Sequence, residues 1–241
     1  MDQEDTTEDT SATEDLNNTK EDTSNAKENS NNAKECKRIM ILDTETTGIP
    51  KRINGYFDLY KNLKSYDNSR LIELAYVIYD SPSSSSGANN SVNREEFQSL
   101  IIPEGFTINA NMTKIHGITE EMCNETGKSL SDVLQKLHND INTVDIIVGH
   151  NVEFDVSIIL AEYYRLHGKC IFTDKKQREF VCTVNMYHDI YGKYYKLCDL
   201  YKLVFKEEPE GNAHRAMNDV LTCERLYSWG GGRSSPQKIN K

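Results

Sequence analysis

The sequence contains no run of about 18 apolar residues, and its first residues are acidic rather than basic and apolar. Neither a membrane span nor a secretory leader is therefore expected, and the chain reads as soluble and intracellular, with nothing to distinguish cytoplasm from nucleus. CxxC pairs are lacking too. The six cysteines, Cys36, Cys123, Cys170, Cys182, Cys198 and Cys223, stand singly, which argues against a zinc site and for reduced, buried thiols. Positive charge is scarce: 28 Lys and Arg face 38 Asp and Glu, for a formal net charge of −10. Residues 1–35 hold 11 acidic and 3 basic side chains and so carry −8 of it, leaving −2 for everything from Cys36 onward. A body this close to neutral excludes the broad basic face that wraps duplex DNA through its phosphates.

What is present divides the 241 residues into three parts. Residues 1–35 have almost no apolar side chain larger than Ala apart from Met1 and Leu16, too little to offset an ordering entropy of about 1 to 2 kcal/mol per residue, so an acidic, disordered, low-complexity tail is expected. Its Asn, Lys and Glu recur every seven residues without the apolar positions of a coiled coil. A single folded domain is expected over 36–229 and a flexible tail over 230–241. Inside the domain, 81–91 (SPSSSSGANNS) reads as a long hairpin loop, and 51–69, with Tyr56, Phe57, Tyr60 and Tyr66, as an insertion whose aromatics pack on the body.

The expected fold class is α/β. Apolar runs at 39–45, 71–79 and 97–102 suggest an antiparallel meander, while helical spacing at 130–141 and 152–166, a short buried strand at 145–149, and helices at 197–205 and 213–227 suggest a parallel extension of the same sheet, flanked by helices.

Four carboxylates stand where the local pattern calls for apolar side chains. Asp43 and Glu45 end the first strand at i and i+2, so they leave one face of the sheet. Asp155 interrupts the apolar stripe of Val152, Val156, Ile159, Leu160 and Tyr163, and Asp219 interrupts that of Ala216, Val220, Cys223 and Tyr227. An ionised carboxylate facing a core costs several kcal/mol unless it is protonated, paired or bound to a metal. Four such acids with few cations nearby point to metal, and hard oxygen donors without Cys point to Mg²⁺ or Mn²⁺. His214 lies five residues before Asp219, about 140° around a helix, so it is expected on the preceding loop or first turn. An imidazole of ordinary pKa, about 6.5, suits a general base there.

These residues resemble the DEDDh 3′→5′ exonucleases of the proofreading-subunit and RNase T type, which have a ribonuclease H-like fold. The resemblance spans roughly residues 39–229 and rests on DTETTG (43–48), HGIT (116–119), GHNVEFD (149–155) and HRAMND (214–219) in that order. The sister subfamily carries Tyr four residues before the last Asp, where this chain has Arg215. The resemblance implies two Mg²⁺ or Mn²⁺ ions, with Asp43 bridging both, Glu45 and Asp219 on the first and Asp155 on the second. It also implies His214 as the base that activates the attacking water. Substrate contacts are expected from Thr46, Thr47, Gly48, His116, Ile118, Asn151 and Phe154. Without the resemblance, Thr46 and Gly48 would be read as a turn, Thr119 as a helix cap and Phe154 as core. Lys175, Lys176, Arg178, Lys193, Lys196 and Arg215 are candidate guides for a phosphate backbone.

The function so implied is release of nucleoside 5′-monophosphates from single-stranded or frayed 3′ ends, DNA slightly preferred, in proofreading or repair. Rival readings are an exoribonuclease trimming RNA, which the same metal site allows, an inactive nucleic-acid-binding module, and a tethering subunit that recruits a polymerase or processing complex.

Overall fold

The computed structural model describes residues 36–81, 93–172 and 176–231. The expected tail at 1–35, all of the expected tail at 230–241 but its first two residues, most of the Ser-rich stretch, and Lys175 lie outside the described residues.

The first strand, β1 (Arg38–Thr46), is covered on both faces along most of its length, as the near-continuous run IMIL demands. In the insertion, β2 (Arg52–Ile53) and β3 (Tyr56–Phe57) form a small hairpin. It turns on Asn54 and Gly55, both at positive φ, a backbone that Asn-Gly tolerates. The long strands β4 (Leu71–Asp80) and β5 (Arg94–Leu100) follow. Three helices come next, α1 (Ala110–His116), α2 (Glu120–Thr126) and α3 (Leu130–Ile141). Strand and helix then alternate through β6 (Ile146–Gly149), α4 (Val152–His167), β7 (Glu179–Cys182) and α5 (Thr183–Tyr191) before α6 (Leu197–Phe205) and α7 (Ala216–Trp229).

The five long and short strands of the main sheet run in the order β5-β4-β1-β6-β7. The pairs β5/β4 and β4/β1 are antiparallel, and β1/β6 and β6/β7 are parallel, which is the mixed sheet that the sequence implies. Strand β7 and helix α5 were not anticipated: β7 has only four residues and, unlike the IIVG run of β6, begins on a charged one, Glu179. Strand β5 begins at Arg94 rather than 97, and Ile101 makes only an isolated bridge to Lys128. Helix α7 begins at Ala216 rather than 213, because Arg215 is extended and caps it.

Alternation along β1 sorts the core into two layers. Met40 and Leu42 pack with Leu74, Tyr76, Leu134, Leu137, Val156 and Ile159 under α3 and α4. Ile39 and Ile41 pack with Ala75, Val77, Val148, Ala216, Val220 and Cys223 under α7. The insertion is fastened by its aromatics, as expected: Tyr60 meets Tyr164 edge-on at 5.6 Å, Phe57 lies 5.8 Å from Phe154, and Tyr66 is buried. Tyr56 stays exposed.

Candidate active site

Asp43 and Glu45 continue the Ile39, Ile41 series and so face the α7 side of the sheet, where Asp219 projects from the first turn of α7. Asp155 comes from the other layer. It sits in the first turn of α4 and reaches the end of β1, where it accepts bonds from the Thr44 amide at 3.0 Å and the Thr44 hydroxyl at 2.7 Å. The acids thus converge on the carboxyl end of β1, the edge at which open α/β sheets bind ligands.

Their electrostatics show the convergence. Burial first, and then Asp155, Asp219, Glu45 and Glu73, push the Asp43 carboxyl well above the usual carboxylate range. Burial with Asp219, Glu73 and Asp155 pushes Glu45 up to about 8, against a lowering influence from Arg215. Asp155 rises to about 7 through burial, although its bonds from Thr44 oppose the shift. Burial raises Asp219 while His214 counters it. Ligand atoms of Glu45, His214 and Asp219 lie within 4.8 Å of one another, and Asp43 and Asp155 stand outside this tightest group.

His214 occupies the loop before α7, at φ 61°, and donates its backbone N–H to Asp219 Oδ2 at 3.1 Å. The left-handed backbone keeps its exposed imidazole at the rim, off the helix whose geometry would turn it away from Asp219.

Glu73 belongs to this site and was missed by sequence reasoning. It is fully buried on β4, directly opposite Glu45 in the register. Its carboxylate accepts bonds from Arg215 Nε (3.3 Å) and Nη2 (3.0 Å), from the Ala216 amide (3.0 Å) and from Gln98 (2.8 Å). It therefore clamps the N-terminus of α7, where a negative charge also meets the positive end of the helix. A lone acid within the apolar run LIELAYVIY is the same signal that singled out Asp155, and it could have found Glu73.

The remaining expected contacts divide. The Thr46 hydroxyl donates to the Gly48 carbonyl at 2.6 Å, and the Thr47 hydroxyl donates to Asn68 O while accepting the Arg70 amide. A Cβ on Gly48 would stand 2.5 Å from Asn68 O, so only glycine lets these segments approach. His116 is buried and accepts the Ile118 amide on Nδ1 at 3.0 Å, which leaves Nε2 as the N–H; that nitrogen has no partner among the described residues. Burial lowers the pKa of His116, and His214 and Arg215 add to the effect against Glu73. Ile118 is a correction: its side chain is fully enclosed with Ile72 and Cys123 and offers no surface to a substrate. Asn151 is exposed at φ 75° just before α4. Phe154 is half-buried against the core and Phe57, a packing role first. Beside Thr47 and Gly48 a cavity of about 630 Å³ opens between Asn68 of the insertion and Phe106, Asn109 and Met112.

Three of the cations proposed as phosphate guides have other partners. Buried Arg178 donates to Ile141 O at 2.9 Å, and Arg215 is held by Glu73. Lys176 pairs with Asp145 at 2.7 Å, whereas Lys193 and Lys196 are exposed.

The donor set fits a hard divalent cation. Four mutually repelling, buried carboxylates with one imidazole and no thiol gain most from an ion of high charge that prefers oxygen.

Comparison with known proteins identifies the family and the fold. The sequence pattern of the RNase T exonuclease family matches residues 40–227. The epsilon subunit of DNA polymerase III from Buchnera aphidicola subsp. Schizaphis graminum is 31% identical over 137 residues, which cover 55% of this chain and 48% of the relative. E. coli exonuclease I in complex with a dT13 oligonucleotide superposes with a TM-score of 0.57 at 17% identity, over 80% of this chain and 40% of that one. Cell-death related nuclease 4 gives 0.58 at 17% identity, over 81% and 64%. These structural matches establish the ribonuclease H-like fold, and the chain spans about half the length of the polymerase subunit.

Proposed function

Since the chain belongs to the RNase T exonuclease family, whose DEDDh members are divalent-metal-dependent 3′→5′ exonucleases, we propose that it removes nucleoside 5′-monophosphates from single-stranded or frayed 3′ ends of DNA. The observation that carries the proposal is the placement of Asp43, Glu45, Asp155 and Asp219 at the end of β1, with His214 beside Glu45 and Asp219. Those four acids would hold two Mg²⁺ or Mn²⁺ ions, which when bound acidify a water and neutralise charge around the scissile phosphate.

The chain's own residues supply the rest. His214 takes the proton of the attacking water, its ring kept at the rim by the left-handed turn and by its amide bond to Asp219. Thr47 and Gly48 line the cavity, where a close-lying nucleotide would meet them, and Thr46 is buried behind them. His116 Nε2–H is a buried donor without a partner among the described residues, so it would reach a substrate oxygen only if its surroundings open. DNA is favoured because the Buchnera relative is a DNA polymerase subunit and the solved exonuclease I complex holds an oligodeoxynucleotide. The polymerase relative also favours proofreading, with a polymerase as partner.

The test is incubation with 5′-labelled and 3′-labelled single-stranded DNA, RNA and mismatched duplex. A Mg²⁺-dependent ladder shortening from the 3′ end, absent with chelator and in Asp43→Ala, is expected. Faster RNA trimming would move the reading to an exoribonuclease. Binding without cleavage in every arm would overturn it in favour of a binding or tethering module.

A further inference from the structure

Helix α5 and the link to α6 expose a patch of large apolar side chains, two of them aromatic: Ile190 is 54% exposed, Tyr191 43% and Tyr194 65%. The rings are ordered among themselves. Gly192, at φ 66°, turns the chain back after α5, so that Tyr194 stacks on His188 with centroids 4.2 Å apart and planes 19° apart. Tyr191 lies parallel to Tyr187 at 6.1 Å and edge-on to Tyr195 at 6.2 Å. Tyr187 is itself buried and donates its hydroxyl to Leu226 O at 2.9 Å, which anchors the row to α7. Lys193 stands 5.1 Å from the Tyr195 ring, and Lys196 is exposed beside it. One acid, Asp189, shares the segment and faces His188 at 3.9 Å.

This surface is tied to the chain just before α4, the helix whose first turn carries Asp155. Tyr195 O meets His150 Nε2 at 3.0 Å, one residue before Asn151 and the start of α4.

Resting on the nuclease reading above, we propose that Tyr191, Tyr194, Lys193 and Lys196 form a second binding site, for the single-stranded segment upstream of the 3′-terminal nucleotide. One face of the Tyr194 ring is taken by His188, and the other is open to continue the stack with a nucleobase. Every base has such a face, so the contact is independent of sequence. The two lysines supply a phosphate-attracting pair in a chain that is otherwise acidic. Pre-stacked rings bind at low entropic cost because their rotamers are already set.

The test compares kcat/KM on dT3 and dT12 with 5′-fluorescein labels, together with the Kd of dT12 by anisotropy in Ca²⁺. The wild-type chain should prefer dT12. In Tyr194→Ala the dT12 to dT3 ratio should fall about tenfold, and Tyr194→Phe should restore it. Lys193→Gln should flatten the salt dependence of dT12 binding by about one unit of log–log slope. An unchanged ratio and Kd in both Tyr194→Ala and Tyr191→Ala would overturn the proposal and leave the patch as a protein contact. A wild-type chain that cuts neither oligomer would sink the nuclease reading alone, since the anisotropy arm still decides the site.

Discussion

Glu45 and Glu73 face each other across two paired strands, and Asp43, Asp155 and Asp219 crowd the same end of the sheet. Without a cation this is a repulsive arrangement, and it makes the stability of the metal-free protein depend on pH. Burial and like charges raise Glu45 to about 8 and Asp155 to about 7, above the roughly 4 of an unfolded carboxylate. The folded state therefore holds protons that the unfolded chain has released. That stability is fully present below about pH 4 and is lost as pH climbs through 7 and 8. In chelator, Tm by scanning fluorimetry should fall between about pH 6 and about pH 8.5, and Mg²⁺ should raise it more at the upper pH. A flat Tm that ignores Mg²⁺ would remove the acids from the metal site. Turnover of His214→Ala should drop about 10²- to 10⁴-fold with calorimetric Mn²⁺ binding intact. Lost binding would make it a ligand, a role that its place within 4.8 Å of Glu45 and Asp219 permits. Glu73→Ala, which leaves the Ala216 amide unpaired, should cost about 1 to 3 kcal/mol in urea unfolding. It should also lower kcat more than it raises KM. A cycle with Arg215→Ala should show coupling of about 0.5 to 3 kcal/mol if the clamp acts through that side chain.

At the scale of elements, α4 and the segment before β4 are joined by a buried ion pair. Glu162, 2% exposed, accepts Arg70 Nε at 2.5 Å and Nη2 at 3.1 Å, and the Arg70 guanidinium lies over the Phe106 ring at 4.3 Å. Phe106 lines the cavity beside Gly48, so the pair also sets one wall of the candidate site. Glu162→Ala leaves the guanidinium buried with its main partner gone and should cost about 3 to 5 kcal/mol by chemical denaturation. A loss under about 1 kcal/mol would show that water reaches Arg70 readily. Thr119 caps α2 by accepting the Met122 amide at 3.2 Å, as its place before Glu120 and Glu121 suggested. Elements with a strong local signal, α3, α4 and α7, were readable to within three residues at either end; β7, which lacks the apolar run of β6, was not.

For the molecule as a whole, one sheet carries both core layers, and the described residues fall within a single compact unit. Unfolding should be all-or-none. The single tryptophan, Trp229, ends α7 and meets the Phe205 ring edge-on at 5.7 Å. Its fluorescence and the far-ultraviolet circular dichroism should therefore change at one urea midpoint, and separated midpoints would mean that α6 and α7 come apart on their own. Among the described residues no helix is long and apolar enough to cross a membrane.

Sequence alone determined which acids interrupt the apolar pattern of this chain. An acid inside an apolar period is unstable unless something neutralises it, and that local rule singled out Asp43, Glu45, Asp155 and Asp219 before any strand was paired. Only the tertiary structure decided that Glu73 stands opposite Glu45, that Arg215 serves Glu73 rather than a phosphate, and that Ile118 faces the core. The physical reason is separation along the chain: Glu73 and Arg215 lie 142 residues apart, and no periodicity within either segment encodes which distant partner the register of a sheet will bring to it.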